Sequence, residues 1–259
     1  MPQPTPQFVV KLAQSDAERR AAQRLRYDVF VQELGADGDR VDHSNKLEVD
    51  QFDPFCDHLI LLDVARQGDT SAQIVGVYRL LQGDQAARIG GFYSEAEYDL
   101  TKLKQSGRKL LELGRSCLRP DYRGGAAMFH LWNALAAYVS DNEIEILFGV
   151  ASFHGTDPQE LAQPLSMLHH NHLAPEHLRA QVRVGSGVSM KLLPKDQLDR
   201  KAAMLAMPAL IKAYLRLGGV VGDGAFVDRG FNTIDVCLIM DTQKLNETQR
   251  RIYAKGISG

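Results

Sequence analysis

Two opposite charges interrupt an apolar stretch that runs from Leu110 to Leu118. Glu112 and Arg115 lie within this run, whose composition predicts a buried strand. A buried charge without a partner is costly, so such residues pair with each other or face a cleft. There a carboxylate can accept a proton and an arginine can bind an anion. Side chains alternate along a strand, so Glu112 and Arg115 point to opposite faces unless a bulge near Gly114 brings them together.

A glycine turn and a helix follow this charged strand. Pro120 ends the strand, and Arg123-Gly124-Gly125 leads into the almost uncharged run 126–139, which predicts a largely buried helix. The first N–H groups of a helix have no partner within it and attract negative charge. The charged strand end, the glycine turn and the helix N-terminus together predict a site that receives an anion.

The rest of the chain supplies the elements that must position these groups. A helix begins at Ser15, where Ser-x-x-Glu has the form of a capping box. A long acidic loop follows, and loops of that length inside compact domains are usually functional or disordered. The other predicted elements are a strand at 8–12, the loop at 35–57, a hairpin of strands at 58–65 and 73–81, a strand at 144–150, a turn at 155–158 that opens a helix at Pro158, a helical region at 194–219 and a closing pair of strands within 225–240.

Length and composition predict a globular protein of one large domain or two small ones. The chain has 259 residues and 44% of them are hydrophobic, which is ample for a packed core. We expect a single domain over 8–243 with a C-terminal extension of helix and strand, a flexible proline-rich tail at 1–7 and a polar tail at 244–259.

Charge and cysteine usage exclude several classes of function. The formal charge of −2 gives no reason to expect nucleic-acid binding. The three cysteines are far apart, which argues against disulfides and a cysteine-based metal site and fits the reducing cytoplasm. Neighbouring histidines between 169 and 177 match no recognised ligand pattern, so we expect no metal. No stretch is apolar enough to span a bilayer, although the basic side of 194–219 leaves transient contact with the inner membrane face open.

The order of elements and several short motifs resemble the GNAT acyltransferase fold. This resemblance implies an α/β (α+β) architecture with a mixed central sheet flanked by helices, which opens between two central strands to admit an acyl-thioester. The motifs occur in the order seen in acyl-homoserine-lactone synthases: Leu25-Arg26-Tyr27-Asp28-Val29-Phe30-Val31, Asp50-Gln51-Phe52-Asp53, His58-Leu59-Ile60, Tyr78-Arg79-Leu80-Leu81 and Glu112-Leu113-Gly114-Arg115.

The chain is still more similar to the ornithine-lipid acyltransferases, over roughly residues 25–240. That resemblance implies transfer of a 3-hydroxyacyl group from acyl carrier protein to the α-amine of L-ornithine, giving lyso-ornithine lipid. The phosphopantetheine thioester would be a co-substrate, and no bound cofactor is implied. The motifs that carry the resemblance are Glu112-Leu113-Gly114-Arg115-Ser116-Cys117, Pro120-Asp121-Tyr122-Arg123, Ala151-Ser152-Phe153-His154-Gly155-Thr156-Asp157-Pro158, residues 210–218, Val221-Gly222-Asp223-Gly224 and residues 231–236.

The same resemblance implies roles for individual residues. Glu112 is the expected base, acting directly or through water, and Arg115 is expected beside it in catalysis. Arg26 and Arg79, like Arg115, either neutralise an acidic pocket or hold the carboxylate of the amino acid. Asp50 and Asp53 are candidates for binding the side-chain ammonium of ornithine. The implied substrate-binding residues are Arg26, Asp50, Asp53, Arg79 and Ser116, and those implied for the phosphopantetheine arm are Arg123, Gly124, Gly125 and Ala126.

The glycine turn departs from the motif of acetyl-CoA-dependent GNAT enzymes. Those enzymes carry Arg/Gln-x-x-Gly-x-Gly/Ala, whereas Ala126 stands here in place of the first motif glycine. CoA presents a pyrophosphate that the backbone must approach closely, and a carrier protein presents a single phosphodiester. The altered turn therefore favours a carrier-protein donor.

Other functions remain open on the sequence alone. An acyl-homoserine-lactone synthase, or an N-acyltransferase acting on glycine or another amino acid, would use the same elements. Cys117 could accept an acyl group, but no neighbouring His or Asp is apparent, so a structural cysteine is favoured. A non-enzymatic module that binds lipid or carrier protein is a further alternative, disfavoured by the charged strand.

Overall fold

A computed structural model of the chain describes residues 5–38, 41–185 and 187–244. Of the two predicted tails, residues 1–4 and 245–259 lie outside the described residues. The described chain forms a mixed α/β fold in which helices flank a mixed sheet, as predicted.

The strands and helices are numbered in chain order. The strands are β1 Phe8–Leu12, β2 Val41–Asp42, β3 Leu47–Glu48, β4 Asp57–Asp63, β5 Ile74–Gln82, β6 Tyr98–Asp99, β7 Leu110–Leu118, β8 Ile146–His154, β9 Gln181–Val182, β10 Gly187–Val188, β11 Val220–Val221, β12 Ala225–Asp228 and β13 Thr233–Asp241. The α-helices are α1 Asp16–Arg26, α2 Thr70–Gln73, α3 Gly83–Ile89, α4 Thr101–Gln105, α5 Ala127–Asp141, α6 Ala162–His172, α7 Arg200–Ala206 and α8 Ala209–Arg216.

The described chain divides into two compact units. The first holds residues 5–38, 41–89 and 113–143, and the second holds residues 90–112, 144–185 and 187–244. Strand β7 therefore contributes its first three residues to the second unit and its last six to the first. The expectation of a single domain over 8–243 stays a prediction.

In the first unit, β1, β4, β5 and β7 lie side by side in that order. The pairs β1–β4 and β4–β5 are antiparallel, which confirms the predicted hairpin. Strand β4 is apolar at consecutive positions because both of its faces are covered. Ile60 and Leu62 pack in one core cluster with Leu25 of α1. Leu61, on the other face, lies beside Gly76, which in turn faces Leu131 of α5.

Helix α1 begins where the sequence predicts, and a π-helical segment follows it. The Ser15 hydroxyl accepts a hydrogen bond from the Glu18 N–H at 3.2 Å, so the predicted cap is confirmed. After Arg26 the chain widens into a π-helical segment, Tyr27–Glu33. This irregular segment begins directly after Arg26, whose side chain is buried.

In the second unit, residues 110–112 of β7 pair in parallel with β8 at 146–148. Strand β8 pairs antiparallel with β13 along nine residues, and β12 and β10 continue the sheet beyond β13. Strand β11 pairs with the end of β13. The predicted closing pair of strands is thus confirmed as β12 and β13.

Two helix predictions in this unit need correction. The helix expected at Pro158 begins four residues later, at Ala162, because residues 158–161 first form a turn. The Asp157 carboxylate accepts the Gln159 N–H at 2.9 Å in that turn. The helical region at 194–219 is two helices, α7 and α8, because Pro208 lacks the N–H that would continue the first one.

Candidate active site

Six ionised side chains of the first unit form one buried network, which we call the ion-pair cluster. They come from the end of α1, the end of β3, the loop before β4, and the middles of β5 and β7. The members are Arg26, Glu48, Asp50, Asp53, Arg79 and Arg115.

Arg26 binds two carboxylates of the cluster. Its Nη1 and Nη2 atoms donate to Oδ1 and Oδ2 of Asp53 at 2.8 and 3.1 Å, a bidentate pair. Its Nε atom donates to Oε2 of Glu48 at 2.5 Å. Arg26 therefore fixes the end of β3 and the loop before β4 against helix α1.

The other two arginines close the network. Nη1 of Arg79 donates to Oδ1 of Asp50 at 2.6 Å and to Oδ1 of Asp53 at 2.9 Å. Arg115 donates from Nε to Glu48 at 3.0 Å and from Nη2 to Asp50 at 3.1 Å. Each carboxylate of the cluster thus accepts from two different arginines.

Burial makes the balance of charge in the cluster important. All six side chains are at most 8% exposed, with three positive and three negative charges. Burial by itself raises a carboxyl pKa, but the arginines outweigh it and hold the pKa values of Glu48, Asp50 and Asp53 below their ordinary ranges. Burial likewise opposes the charge of Arg79, yet Asp50 and Asp53 raise its pKa. The carboxylates of the cluster are therefore ionised at neutral pH.

Neutral groups hold Asp53 in place from its other sides. The Gln23 amide donates to Oδ2 at 3.0 Å, and the backbone carbonyl of Asp53 lies 3.0 Å from Nε2 of His58. The Phe52 ring lies under the Arg79 guanidinium, 5.9 Å from its carbon. These contacts fix the cluster in one arrangement before any substrate arrives.

Arg115 reaches the cluster through an irregular backbone. Its φ angle is 52°, in the left-handed region that a residue with a side chain seldom adopts. The regular alternation of side chains along β7 is therefore broken next to Gly114, near which the sequence allows a bulge as one of two arrangements of Glu112 and Arg115. Such local strain persists where the surroundings hold it, and here Glu48 and Asp50 hold the side chain.

Glu112 lies in the second unit and is held by the turn that precedes β6. Its Oε1 atom accepts from the N–H and the hydroxyl of Ser94 at 2.7 and 2.5 Å, and Oε2 accepts from the N–H of Tyr93 at 2.8 Å. Ser94 is fully buried and Glu112 is 4% exposed. The sequence predicted neither Ser94 nor Tyr93 as a site residue.

The turn before α5 leaves the N-terminus of this 15-residue helix without a side-chain cap among the described residues. Gly124 has a φ of 75°, and a Cβ atom on Gly124 or Gly125 would meet nothing within 4 Å. Space therefore lies open beside the glycines, where the first N–H groups of the helix point.

Arg123 is engaged within the first unit. Its guanidinium donates to both carboxylate oxygens of Glu33 at 2.5 and 2.7 Å and to the Leu118 carbonyl at 3.1 and 3.2 Å. This arginine thereby ties the turn to the end of the π-helical segment, and its pair with Glu33 is partly exposed.

Known proteins similar to the chain identify its family. A relative from Rhodobacter capsulatus named L-ornithine N(alpha)-acyltransferase is 60% identical over 252 residues, which cover 97% of this chain and 96% of that protein. The chain belongs to the L-ornithine N(alpha)-acyltransferase family. Members from Brucella abortus and Rhizobium meliloti are each 42% identical, covering 94% of this chain and 88% and 83% of theirs.

The family profile described as acetyltransferase (GNAT) domain matches residues 25–133 of this acyltransferase. That stretch includes every predicted site residue from Arg26 to Ala126. Among solved structures, the fold is similar to a CoA-dependent acyl-homoserine lactone synthase, BjaI, with a TM-score of 0.54 at 14% identity, covering 97% of this chain and 90% of that one. The acyl-homoserine lactone synthase LasI gives 0.52 at 14% identity, covering 97% of both chains. The predicted GNAT-like fold is thereby confirmed.

Two further side chains of β7 directly follow Arg115 of the ion-pair cluster in sequence. The Ser116 hydroxyl is buried and has no hydrogen-bond partner among the described residues. Cys117 packs in the apolar core against α1, and burial raises the pKa of its thiol to about 12. A thiol so protonated is a poor nucleophile, which supports the structural role favoured from sequence.

One group of acidic residues in the acyltransferase could hold a cation. Ligand oxygens of Glu97, Asp228 and Asp235, all buried, lie within 4.8 Å of one another in the second unit. The neighbouring Tyr98 hydroxyl donates to the carbonyls of Gly224 and Asp235 at 3.1 and 2.9 Å.

Proposed function

We propose that this protein transfers a 3-hydroxyacyl group from acyl carrier protein to the α-amine of L-ornithine. The observation that carries the acceptor part of the proposal is 60% identity, over nearly the whole of both chains, to the Rhodobacter capsulatus protein named L-ornithine N(alpha)-acyltransferase. The product would be an N-acylated ornithine, the lyso form of an ornithine lipid.

The proposed reaction is a direct aminolysis. The neutral α-amine attacks the thioester carbonyl, the C–N bond forms, and the C–S bond breaks to release the pantetheine thiol. Glu112 accepts the proton that the amine nitrogen loses, directly or through water, and that proton can pass to the leaving thiolate. Three hydrogen bonds from residues 93 and 94 hold this carboxylate in one orientation. No acyl-enzyme intermediate is needed.

The ion-pair cluster is proposed to receive the acceptor. Arg26, Arg79 and Arg115 bind carboxylates of the protein itself, which supports the first of the two roles predicted for them, neutralising an acidic pocket. The second role, binding the amino acid's carboxylate, requires Arg79 or Arg115 to exchange part of an existing pair. Asp50 and Asp53 would bind the side-chain ammonium by the same exchange, and Ser116 offers a hydroxyl with no partner among the described residues.

The turn before α5 is proposed to bind the phosphate of the donor. The uncapped helix N-terminus and the open space beside Gly124 and Gly125 suit a single phosphodiester. Ala126 replaces the motif glycine, which supports a carrier-protein donor over CoA. Arg123 would add positive charge near the phosphate while it keeps its pair with Glu33.

An assay of thiol release and product mass tests this proposal. It combines purified protein with a 3-hydroxyacyl carrier protein or the matching acyl-CoA and with a panel of amino acids. We expect thiol release and a product of the right mass with carrier protein and ornithine, and much slower release with acyl-CoA or glycine. Equal rates with CoA would contradict the donor assignment, and an acylated homoserine lactone or acylglycine product would contradict the acceptor. Without thiol release for any acceptor, the protein would be a binding module.

The base assignment has a matched pair of variants. Glu112→Gln should lower kcat by at least about 10²-fold. Glu95→Gln changes another carboxylate that accepts a backbone N–H of the same turn, from Phe92 at 3.0 Å, and should stay within a few-fold of wild type. Near-normal turnover by Glu112→Gln, with thermal unfolding unchanged, would exclude Glu112 as the base.

We also propose that the enzyme works in the cytoplasm and meets the inner membrane face transiently, because its acylated product is amphipathic. Among the described residues, none of the helices is both long and apolar enough to cross a bilayer. The proposed contact is made by a surface of the protein that binds lipid headgroups.

A further inference from the structure

The stretch from Lys191 to Arg216 differs in charge from the rest of the chain. It holds six basic residues and two acidic ones, a net charge of +4 in a chain whose total is −2. The basic residues are Lys191, Lys195, Arg200, Lys201, Lys212 and Arg216, and the acidic ones are Asp196 and Asp199. Positive charge is therefore concentrated on helices α7 and α8 and on the approach to them.

Helix α7 presents an apolar side chain amid this charge. Leu205 is 74% exposed, and it follows the exposed Lys201 by one helical turn, so both lie on the same side of the helix. Arg200 and Lys195 are exposed at its N-terminal end. We call Lys195, Arg200, Lys201 and Leu205 the α7 face.

Helix α6 adds no negative charge to the α7 face. Helix α6, which packs against α7, contains no Asp or Glu, and its ionisable residues are histidines. Burial and the charge of Arg200 both lower the pKa of His172 on α6, so it adds no charge at neutral pH. The acidic residues next to the face in sequence are Asp196 and Asp199, and its three basic residues exceed them by one positive charge. Asp199 is the N-cap of α7, where its carboxylate accepts the N–H groups of Lys201 and Ala202 at 2.8 and 3.0 Å.

The α7 face is held by the fold. Nζ of Lys212 donates to the Met204 carbonyl at 3.1 Å, which fastens α8 to the end of α7. The Gln163 carboxamide accepts the Asp199 N–H at 2.9 Å and so ties the start of α7 to α6. The exposed side chains therefore project from a fixed surface.

We propose that the α7 face docks on an anionic lipid surface, with the basic side chains at the headgroups and Leu205 between them. Positive charge around an exposed apolar side chain is what such a surface attracts. An acidic protein would satisfy the charges but gives Leu205 no comparable apolar layer. The inference rests on the proposed function in one respect, since an N-acylated product has to pass into a bilayer.

Vesicle binding without substrates tests the docking surface separately from catalysis. The probes are vesicles of phosphatidylcholine alone and vesicles with 30% phosphatidylglycerol, scored by flotation of the purified protein. We expect binding to the anionic vesicles only, weakened by added salt. Each basic side chain near an anionic surface contributes about fivefold in affinity. Lys195→Gln with Lys201→Gln should thus weaken binding about 25-fold, and Leu205→Ser about tenfold.

Matched changes elsewhere serve as controls. Arg20→Gln with Arg24→Gln removes two exposed charges of α1, and Val64→Ser removes an apolar side chain 44% exposed. These variants should bind vesicles as wild type does. All variants should keep wild-type thermal unfolding and acyl transfer to a soluble acceptor.

Three outcomes would overturn the proposal. The first is failure of the wild-type protein to bind anionic vesicles. The second is equal loss of binding in the α1 control and the α7 variants, which would mean that overall charge alone drives association. The third is unchanged vesicle binding of the α7 variants. A raised KM for acyl carrier protein in these variants would then assign the face to the carrier instead. Loss of vesicle binding with normal catalysis supports the docking surface, and loss of catalysis alone contradicts only the proposed function.

Discussion

Replacing Ser94 by alanine gives the sharpest test of how Glu112 is held. Residues 93 and 94 give this carboxylate three hydrogen bonds, of which the Ser94 hydroxyl makes one at 2.5 Å, and the two backbone N–H donors remain in the variant. Hydrogen bonds to a carboxylate favour its charged form, so a carboxylate that loses a donor keeps its proton to higher pH. If Glu112 must be unprotonated to accept the amine's proton, Ser94→Ala should move the acidic limb of the rate profile upward.

The size of the movement follows from the strength of one such bond. A hydrogen bond to a charged group contributes about 1.5–3 kcal/mol, and one pH unit corresponds to about 1.4 kcal/mol. We therefore expect the acidic limb of kcat/KM to shift upward by about one to two pH units. Above the shifted limb, kcat/KM should approach the wild-type value, because the two N–H donors still orient the carboxylate.

The assay is the rate of thiol release with carrier-protein donor and ornithine, measured from pH 5 to 9 for wild type and variant. Ser166→Ala is the matched control, since Ser166 is equally buried in the same unit and its hydroxyl accepts the N–H groups of Leu192 and Leu193 at 3.1 and 2.9 Å. The control should leave the limb in place. A uniform drop in kcat/KM for Ser94→Ala, with the limb unmoved, would refute the reasoning and leave Ser94 a structural role.

Three further predictions concern substitutions in the first unit. Arginines hold the pKa of Asp53 low against the effect of burial. The contribution of this carboxylate to the free energy of unfolding is therefore complete above about pH 4 and is lost as the pH falls below that. Asp53→Asn should lower the free energy of unfolding by about 3–5 kcal/mol at pH 7 and by less at pH 3, measured by urea unfolding. Cys117→Ala should retain activity, and the native thiol should resist alkylation at pH 8, because burial raises its pKa to about 12; inactivation by alkylation would contradict this. A Cβ on Gly76 would lie 2.5 Å from Leu118 and 3.0 Å from Leu131, so Gly76→Ala should lower the free energy of unfolding by about 1–3 kcal/mol.

Local signals in the sequence predicted most of the longer elements. The bounds of β7 match the apolar run from Leu110 to Leu118, and the Ser15 capping box marks the start of α1. Both depend on neighbours along the chain, which a sequence displays directly. The helix boundaries that failed, at Pro158 and Pro208, are places where a turn and a missing N–H compete with a helical pattern.

The candidate site was only partly predictable because its pairs are remote in sequence. Glu48 binds Arg26 and Arg115, which are 22 and 67 residues away, and Ser94 binds Glu112 across 18 residues. No spacing rule identifies a serine in a polar turn as the partner of a carboxylate on a strand. One feature of the sequence does indicate that Glu48 is a site residue: it directly follows the apolar Leu47 within the acidic loop.

The charge balance of the ion-pair cluster connects the roles predicted for its arginines and aspartates. Three positive and three negative side chains are buried together, so a substrate carboxylate alone would leave the cluster with an excess negative charge. An amino acid with a side-chain ammonium brings one charge of each sign once its α-amine is neutral. In the proposed binding mode, ornithine in its reactive form would exchange pairs with Arg79 and Asp50 without changing the net charge, whereas glycine would change it. Binding of the carboxylate and binding of the ammonium are then two halves of one exchange, and the neutrality of the cluster itself favours a basic acceptor.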